Sequence, residues 1–392
     1  MFVPLQKRKV DMKKKFALIL LPLAAVACSE YVNEIPEPVE VSPSQPSLSE
    51  LARIISELPI RQDQLDEVYD AVNSSSGNGY DEEYMMEDLF NSPGCGVGGA
   101  GTKAVTYRTP LRDMLREYLE EKYATKAGAA DVESYISSLI DSGTQIYWPY
   151  SEDWDGESYP IVTFDPGYGA ESNYGYEIRV DGNGAHVVDS VFVDEKTAME
   201  RPVWVINTND DSAFTPLDMF LDEPTRASSS GSGSDEGNRR LYLKDFTMLR
   251  NYDSWFGGAS EFFVKCGSAS GFKASTDSEL KEYYPSVTDF MIVVKRKYVG
   301  KAVPFEAIMV SDFTSQIDKL AFLIVEDDGG TVTSWNCSAT VKYNSKTYGF
   351  DLTIPYKDKD DIVWRGQLSS DFFQEGETSG RFGDVMVTFM LE

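Results

Sequence analysis

The chain has one histidine, His186, among its 392 residues. That excludes every mechanism needing two imidazoles, including HExxH and His₃ zinc centres and more than one Ser-His-Asp triad. Cysteine is scarce too. No two of Cys28, Cys95, Cys266 and Cys337 are spaced as a metal clip, so a thiolate zinc site is not expected. Basic side chains are in the minority, 36 Lys and Arg against 64 Asp and Glu, giving a formal charge of −28. A surface of that sign repels a phosphate backbone, and no local basic patch offsets it, so nucleic acid is excluded as a partner. Long apolar runs are missing as well. The apolar run at 16–27 falls well short of the roughly 20 residues a membrane-spanning helix needs. What the chain does hold is a globular balance of 42% hydrophobic, 12% aromatic and 26% charged residues, on a length that implies more than one domain.

Lys13, Lys14 and Lys15 precede that apolar run, and Ala25, Val26 and Ala27 stand directly before Cys28. Charge, a short apolar stretch and small residues in this order mark a cleavable export signal, with Met12 as its start. The tetrad Ala25-Val26-Ala27-Cys28 resembles the lipobox of bacterial lipoproteins, which implies cleavage before Cys28 and acylation of that cysteine. Loss of residues 1–28 removes six basic side chains and one acidic one, so the mature chain is more acidic still. Residues 29–47, with Glu30, Glu34, Glu37, Pro36, Pro38, Pro43 and Pro46, read as an acidic, Pro-rich tether. Acids just behind the cysteine resemble the surface-export signals of Bacteroidota lipoproteins. The resemblance implies a lipid-anchored, surface-exposed protein of the bacterial outer membrane.

Helical periodicity dominates 48–142. Ser47 and Glu50 are spaced as a capping box, and Leu48, Leu51, Ile54 and Ile55 share one face before Pro59. Further helices are expected at 62–72, 81–90, 110–123 and 132–140. Residues 143–225 change to short β-prone runs at 161–164, 176–180, 187–193 and 203–206, with a turn at Asp181-Gly182-Asn183-Gly184, and read as a small mixed α/β domain. A Ser/Gly linker fills 226–238. Residues 239–392 carry runs at 240–249, 261–266, 289–298, 303–310, 319–326, 332–343, 348–356, 361–368 and 384–391, the pattern of a two-sheet antiparallel sandwich. The expected class is α+β, mainly β: an N-terminal helical segment, a middle mixed α/β region and a C-terminal antiparallel β-sandwich.

Three stretches carry candidate chemistry. Gly94, Gly96 and Gly99 satisfy G-x-G-x-x-G but follow a predicted helix and precede β-branched residues, so they read as a loop and not a dinucleotide cradle. The densest aromatic stretch, 147–160, offers Trp148, Tyr150, Trp154 and Tyr159 beside Glu152, Asp153 and Asp155. Rings that cover a sugar's C–H face, next to carboxylates that accept from its hydroxyls, make a glycan-binding surface; packing onto the helical segment is the other reading. The same three acids would suit a glycosidase acid and base. Finally, the acidic turn Glu326-Asp327-Asp328 follows an apolar run. The order 241–249, Asn251-Tyr252-Asp253, 260–264 and 325–328 resembles C2 domains. That resemblance implies a C2-like or Ig-like sandwich, with Asp253, Asp327 and Asp328 as ligands if calcium binds. The first loop offers only Asp253, which departs from the spaced aspartates of C2 calcium sites, so the expected form is calcium-free.

Taken with Leu111-Arg112-Asp113-Met114-Leu115 and Pro202-Val203-Trp204-Val205, the layout resembles a Bacteroidota surface lipoprotein family ending in such a sandwich. The resemblance brings no activity with it. The expected role is a non-catalytic binding or structural module for an extracellular protein or glycan, tied to the membrane through Cys28, with no catalytic residue assigned and no cofactor. A carboxylate-based extracellular hydrolase and a calcium-stabilised structural or adhesion domain are the alternatives.

Overall fold

A computed structural model describes residues 47–91, 107–123, 129–180, 186–209 and 239–392. The leader, Cys28, the tether, Cys95, the 94–99 glycines, the 181–184 turn and the 226–238 linker lie outside the described residues. Helix α1, Leu48–Glu57, begins where the Ser47 hydroxyl accepts from the Glu50 amide at 3.2 Å. The Glu50 carboxylate pairs with Lys122 at 2.7 Å. Leu51, Ile54 and Ile55 form the buried face. Helices α2 (Gln62–Gly77), α3 (Met86–Asn91), α4 (Leu111–Tyr123) and α5 (Ala129–Asp141) come next along the chain.

The region expected as helix at 81–90 is instead a strand, β1 (Glu83–Met85), running into α3. Its backbone pairs with β2 (Thr144–Tyr147), Glu83 opposite Tyr147, and closing that ladder outweighs the helical propensity of the segment. Strands β3 (Ile161–Phe164), β4 (Ser172–Val180) and β5 (His186–Asp194), helix α6 (Glu195–Glu200) and strand β6 (Val203–Thr208) complete the first half. The sheet order is β1-β2-β6-β3-β4-β5; β3 and β6 run parallel and the other neighbours antiparallel.

Alternation sorts this sheet's side chains. Ile146, Trp148, Val162, Ile178, Trp204 and Ile206 share one core with helices α1 to α5. Tyr147, Ile161, Val193, Val203 and Val205 form the opposite face, which Trp255 and Phe256 cover. Because both faces of β6 are packed, Val-Trp-Val-Ile reads as a continuous apolar run and not as an alternation.

The second half is all antiparallel. Its strands are β7 (Leu241–Met248), β8 (Ser260–Ser268), β9 (Ser286–Val294), β10 (Val303–Val310), β11 (Ile317–Glu326), β12 (Val332–Tyr343), β13 (Lys346–Lys357), β14 (Asp361–Ser369), β15 (Gly376–Phe382) and β16 (Val385–Leu391), with helix α7 (Asp277–Glu282) before β9. One sheet runs β10-β7-β16-β15. The other centres on β11, which pairs with β8 along one edge and with β14 along the other, while β9 extends it beyond β8. The end of strand β12 joins the start of β11, Ile317 opposite Val341 and Lys319 opposite Thr340, and the rest of the β12–β13 hairpin departs from it.

Phe246, Phe262, Val264, Ile292, Phe322, Val387 and Phe389 fill the space between the two sheets. On the outer side of the β11 sheet, Phe263, Met291, Leu323 and Val325 pack against Ala339, Leu352 and Ile354 of the hairpin. Both faces of β11 are thus buried, which explains its unbroken apolar sequence. The cysteines obey the same division. Cys266 lies in the core between the sheets and Cys337 packs with the hairpin layer, so the two are on opposite sides of the sheet and both are free thiols.

The two halves are tied together. The β7–β8 loop inserts Trp255 and Phe256, whose surroundings are fixed by hydrogen bonds from Trp255 Nε1 to the Glu171 carbonyl (3.0 Å) and from Asn207 Nδ2 to the Phe256 and Gly257 carbonyls (both 3.0 Å). The Ala259 amide donates to buried Asp81 at 2.8 Å. The turn after β9 adds Lys295 to Glu82 (3.8 Å), Arg296 to Glu195 (2.7 Å) and Lys297 to Glu152.

Candidate functional site: an aromatic cleft beside the first sheet

Beyond β2 the chain reaches Trp148, which strand alternation turns toward the helices. It is 1% exposed and packs edge to face with Tyr69 (5.9 Å), Trp154 (5.2 Å) and Trp204 (5.8 Å). Tyr150 then takes a left-handed conformation, φ 59°, and reverses the chain into a short 3₁₀ turn, Ser151–Asp153. Asp155 clamps residues 157–158 behind it. Its Oδ1 accepts from the amides of Glu157 (2.9 Å) and Ser158 (2.7 Å), and its Oδ2 from the Ser158 hydroxyl (2.5 Å). Trp154 Nε1 donates to the Ser158 carbonyl at 2.9 Å, and Gln62 Nε2 of α2 holds the Gly156 carbonyl at 2.7 Å. The loop is therefore built by its own polar groups and presents its rings half-buried.

Those rings line a cleft of about 550 Å³. Trp148, Tyr150, Trp154 and Tyr159 all border it, joined by Asp153, by Glu177, Ile178 and Arg179 of β4, and by 198–202 at the end of α6. All four aromatics singled out in the sequence are thus brought together. Trp148 contributes only a buried wall. The rings open to a ligand are those of Tyr150, Trp154 and Tyr159. The Tyr150 hydroxyl donates to Glu195 Oε1 at 2.9 Å, which fixes its ring.

Glu177 is the anchor of the opposite wall. Burial alone would raise its pKa, but the guanidiniums of Arg179 and Arg201, both hydrogen-bonded to it, outweigh burial and hold it below the usual carboxylate range. The arginine side chains remain substantially exposed, 58% and 45%. The sequence reading missed Glu177, Arg179 and Arg201. The usable signal was Glu177-x-Arg179, an ion pair on one face of a strand; Arg201 reaches it only through the β5–α6 excursion.

The arrangement can grip a polar, ring-shaped ligand between aromatic faces and charged hydrogen-bonding groups. Two of the three carboxylates flagged for hydrolysis are shifted away from acid duty. Asp155 is held low by its three donors, and Glu152 is held low because its hydrogen bonds and pairing with Lys297 outweigh burial. A general acid needs the opposite shift. Of the three, Asp153 and Asp155 border the cleft.

The acidic turn also differs from expectation. Asp327 is buried and committed, accepting from the Gly329 amide (3.1 Å) and from Lys357 Nζ (2.7 Å), while Asp328 is exposed. Neither joins Asp253. Among the described residues, the carboxylates that gather with Asp253 are Glu261 and Glu326. The β8–β11 pairing brings the last residue of β11 beside the start of β8, a juxtaposition no local spacing reveals.

No protein-family model, curated protein or solved structure matches the chain.

Proposed function

We propose that this chain is a non-catalytic binding module, anchored by a lipid on Cys28 to the outer face of a bacterial outer membrane, whose aromatic cleft takes a glycan. The supporting observation is the convergence of Tyr150, Trp154 and Tyr159 with Arg179 and Arg201 around one cleft of about 550 Å³. Aromatic rings stack on the apolar face of a pyranose, and fixed charged groups read its hydroxyls or acid substituents. The volume suits a short oligosaccharide segment, because ligand pockets of roughly 300–1,000 Å³ enclose small molecules of that scale. The lipobox-like Ala25-Val26-Ala27-Cys28 and the acidic tether support the location.

The experiment is a panel of neutral and acidic glycans presented to the full-length chain in detergent, with Trp154→Ala and Tyr159→Ala alongside. At least one glycan should bind, and each substitution should weaken it by tenfold or more at a temperature where the variant is still folded. A panel with no ligand, or binding indifferent to both substitutions, contradicts the proposal. In the producing cells, labelled palmitate should mark the wild type and not Cys28→Ser; equal labelling, or none, contradicts the anchor.

A further inference from the structure

The end of the sandwich that faces the first sheet holds a second polar site. Asp253 lies in the β7–β8 loop, Glu261 near the start of β8, and Glu326 at the end of β11; one oxygen from each carboxylate lies within 4.8 Å of the others. Glu326 is 1% exposed; no N–H or hydroxyl donor reaches either of its oxygens, and the group it faces is the Asp253 carboxylate. Two residues before Asp253, the Asn251 Oδ1 is likewise buried without a partner. Oxygens that give up water and gain no donor call for a positive centre or a proton.

The nearby cations are engaged elsewhere. Arg250 bonds Asp384 and stacks on Tyr252 at 3.7 Å, Lys357 reaches Asp327, and Arg296 holds Glu195 and the Asp253 carbonyl. A single proton bridges only one pair of oxygens. A cation answers all three at once. The spacing is within reach of a calcium ion, since oxygens bound to it at about 2.4 Å stand at most about 4.8 Å apart. The donor set is oxygen only, and Asp253 and Glu261 are half-exposed, which gives the ion a route in.

We propose that Asp253, Glu261 and Glu326 bind a divalent cation of calcium type. Its place is structural as well as chemical. Asp253 leads into the loop that carries Trp255 and Phe256 onto the first sheet, so an ion joining that loop to β8 and β11 stiffens the connection between the two halves.

The test uses the full-length chain, stripped with EDTA and titrated with CaCl₂ at pH 7.4 by calorimetry, with Tm measured in parallel. One ion should bind per chain, with Kd of about 10⁻⁴–10⁻³ M as in extracellular modules, and saturating calcium should raise the Tm by about 5 °C. Glu326→Gln keeps the shape and removes the charge, and Glu261→Gln does so at a half-exposed position where folding is not at risk. Each should weaken calcium binding tenfold or more. Absence of calcium heat and of any Tm shift, with Glu326→Gln raising the Tm, would show a proton-sharing acid pair and overturn the proposal. So would calcium binding that survives both substitutions, or magnesium binding as tightly as calcium.

Discussion

Gly258 shows how much one residue carries in this molecule. Its φ is +128°, a conformation side chains rarely adopt, and a Cβ there would lie 2.8 Å from Asp81 Oδ2, the acceptor of the Ala259 amide. Gly258→Ala should therefore cost about 1–3 kcal/mol through strain and through loosening of that buried hydrogen bond. Urea denaturation measures it, and an unchanged midpoint would show that the loop relaxes freely. Tyr150 is the opposite case, a bulky residue in the left-handed region whose hydroxyl is tied to Glu195. At this scale the cleft's aromatics were legible because they cluster within 148–159. Its charged wall was not, because Glu177 and Arg201 meet only through the fold. Glu261 and Glu326 were illegible for the same reason, while the eye-catching Asp327 proved to serve a turn.

At the scale of elements, burial of two faces dictates which strands are unbroken apolar runs. β6 lies between the helices and the Trp255 loop, and β11 between the sandwich core and the β12–β13 hairpin. The hairpin is thus a third layer, and its grip rests on a few side chains. Ile354→Ala should cost about 2–5 kcal/mol by leaving a cavity over Leu323 and Val325. Hydrogen exchange should show the added opening confined to β12 and β13. Loss of protection spread evenly through both sheets would mean that the hairpin is not a separable layer. Apart from β15, strand positions from β3 to β16 could be read from β-branched and aromatic runs between turns. β15 escaped because Gly-Glu-Thr-Ser-Gly-Arg-Phe is an edge strand, polar on its open side and apolar only at Phe382. β1 escaped because its pairing with β2 depends on a partner about sixty residues away.

Across the whole molecule, buried carboxylates at the junction of the halves set the response to pH. Glu82 is pushed up to about 8 by burial and by the neighbouring Glu152 carboxylate, against the pull of Lys295, and Asp81 is raised by burial as well. A raised folded pKa means the folded state holds the proton more tightly. That stability is complete below the unfolded pKa near 4.5 and drains away as pH rises through about 8. Glu152 and Glu177, both lowered, lose their contribution only in acid, below about 4.5, and are silent in that window. The Tm should therefore fall from pH 5 to pH 8, and Glu82→Gln should flatten the decline; an equal slope in the variant would assign it to the other raised carboxylates, Asp360 and Glu326 among them, or to general repulsion in this acidic chain. The central claim remains the glycan cleft. Its most direct test is a crystal structure of the full chain with the tightest-binding member of the glycan panel. A sugar ring should stack on Trp154 or Tyr159 with Arg179 or Arg201 within hydrogen-bonding distance; a sugar bound elsewhere, with this cleft unvisited, would refute the glycan cleft.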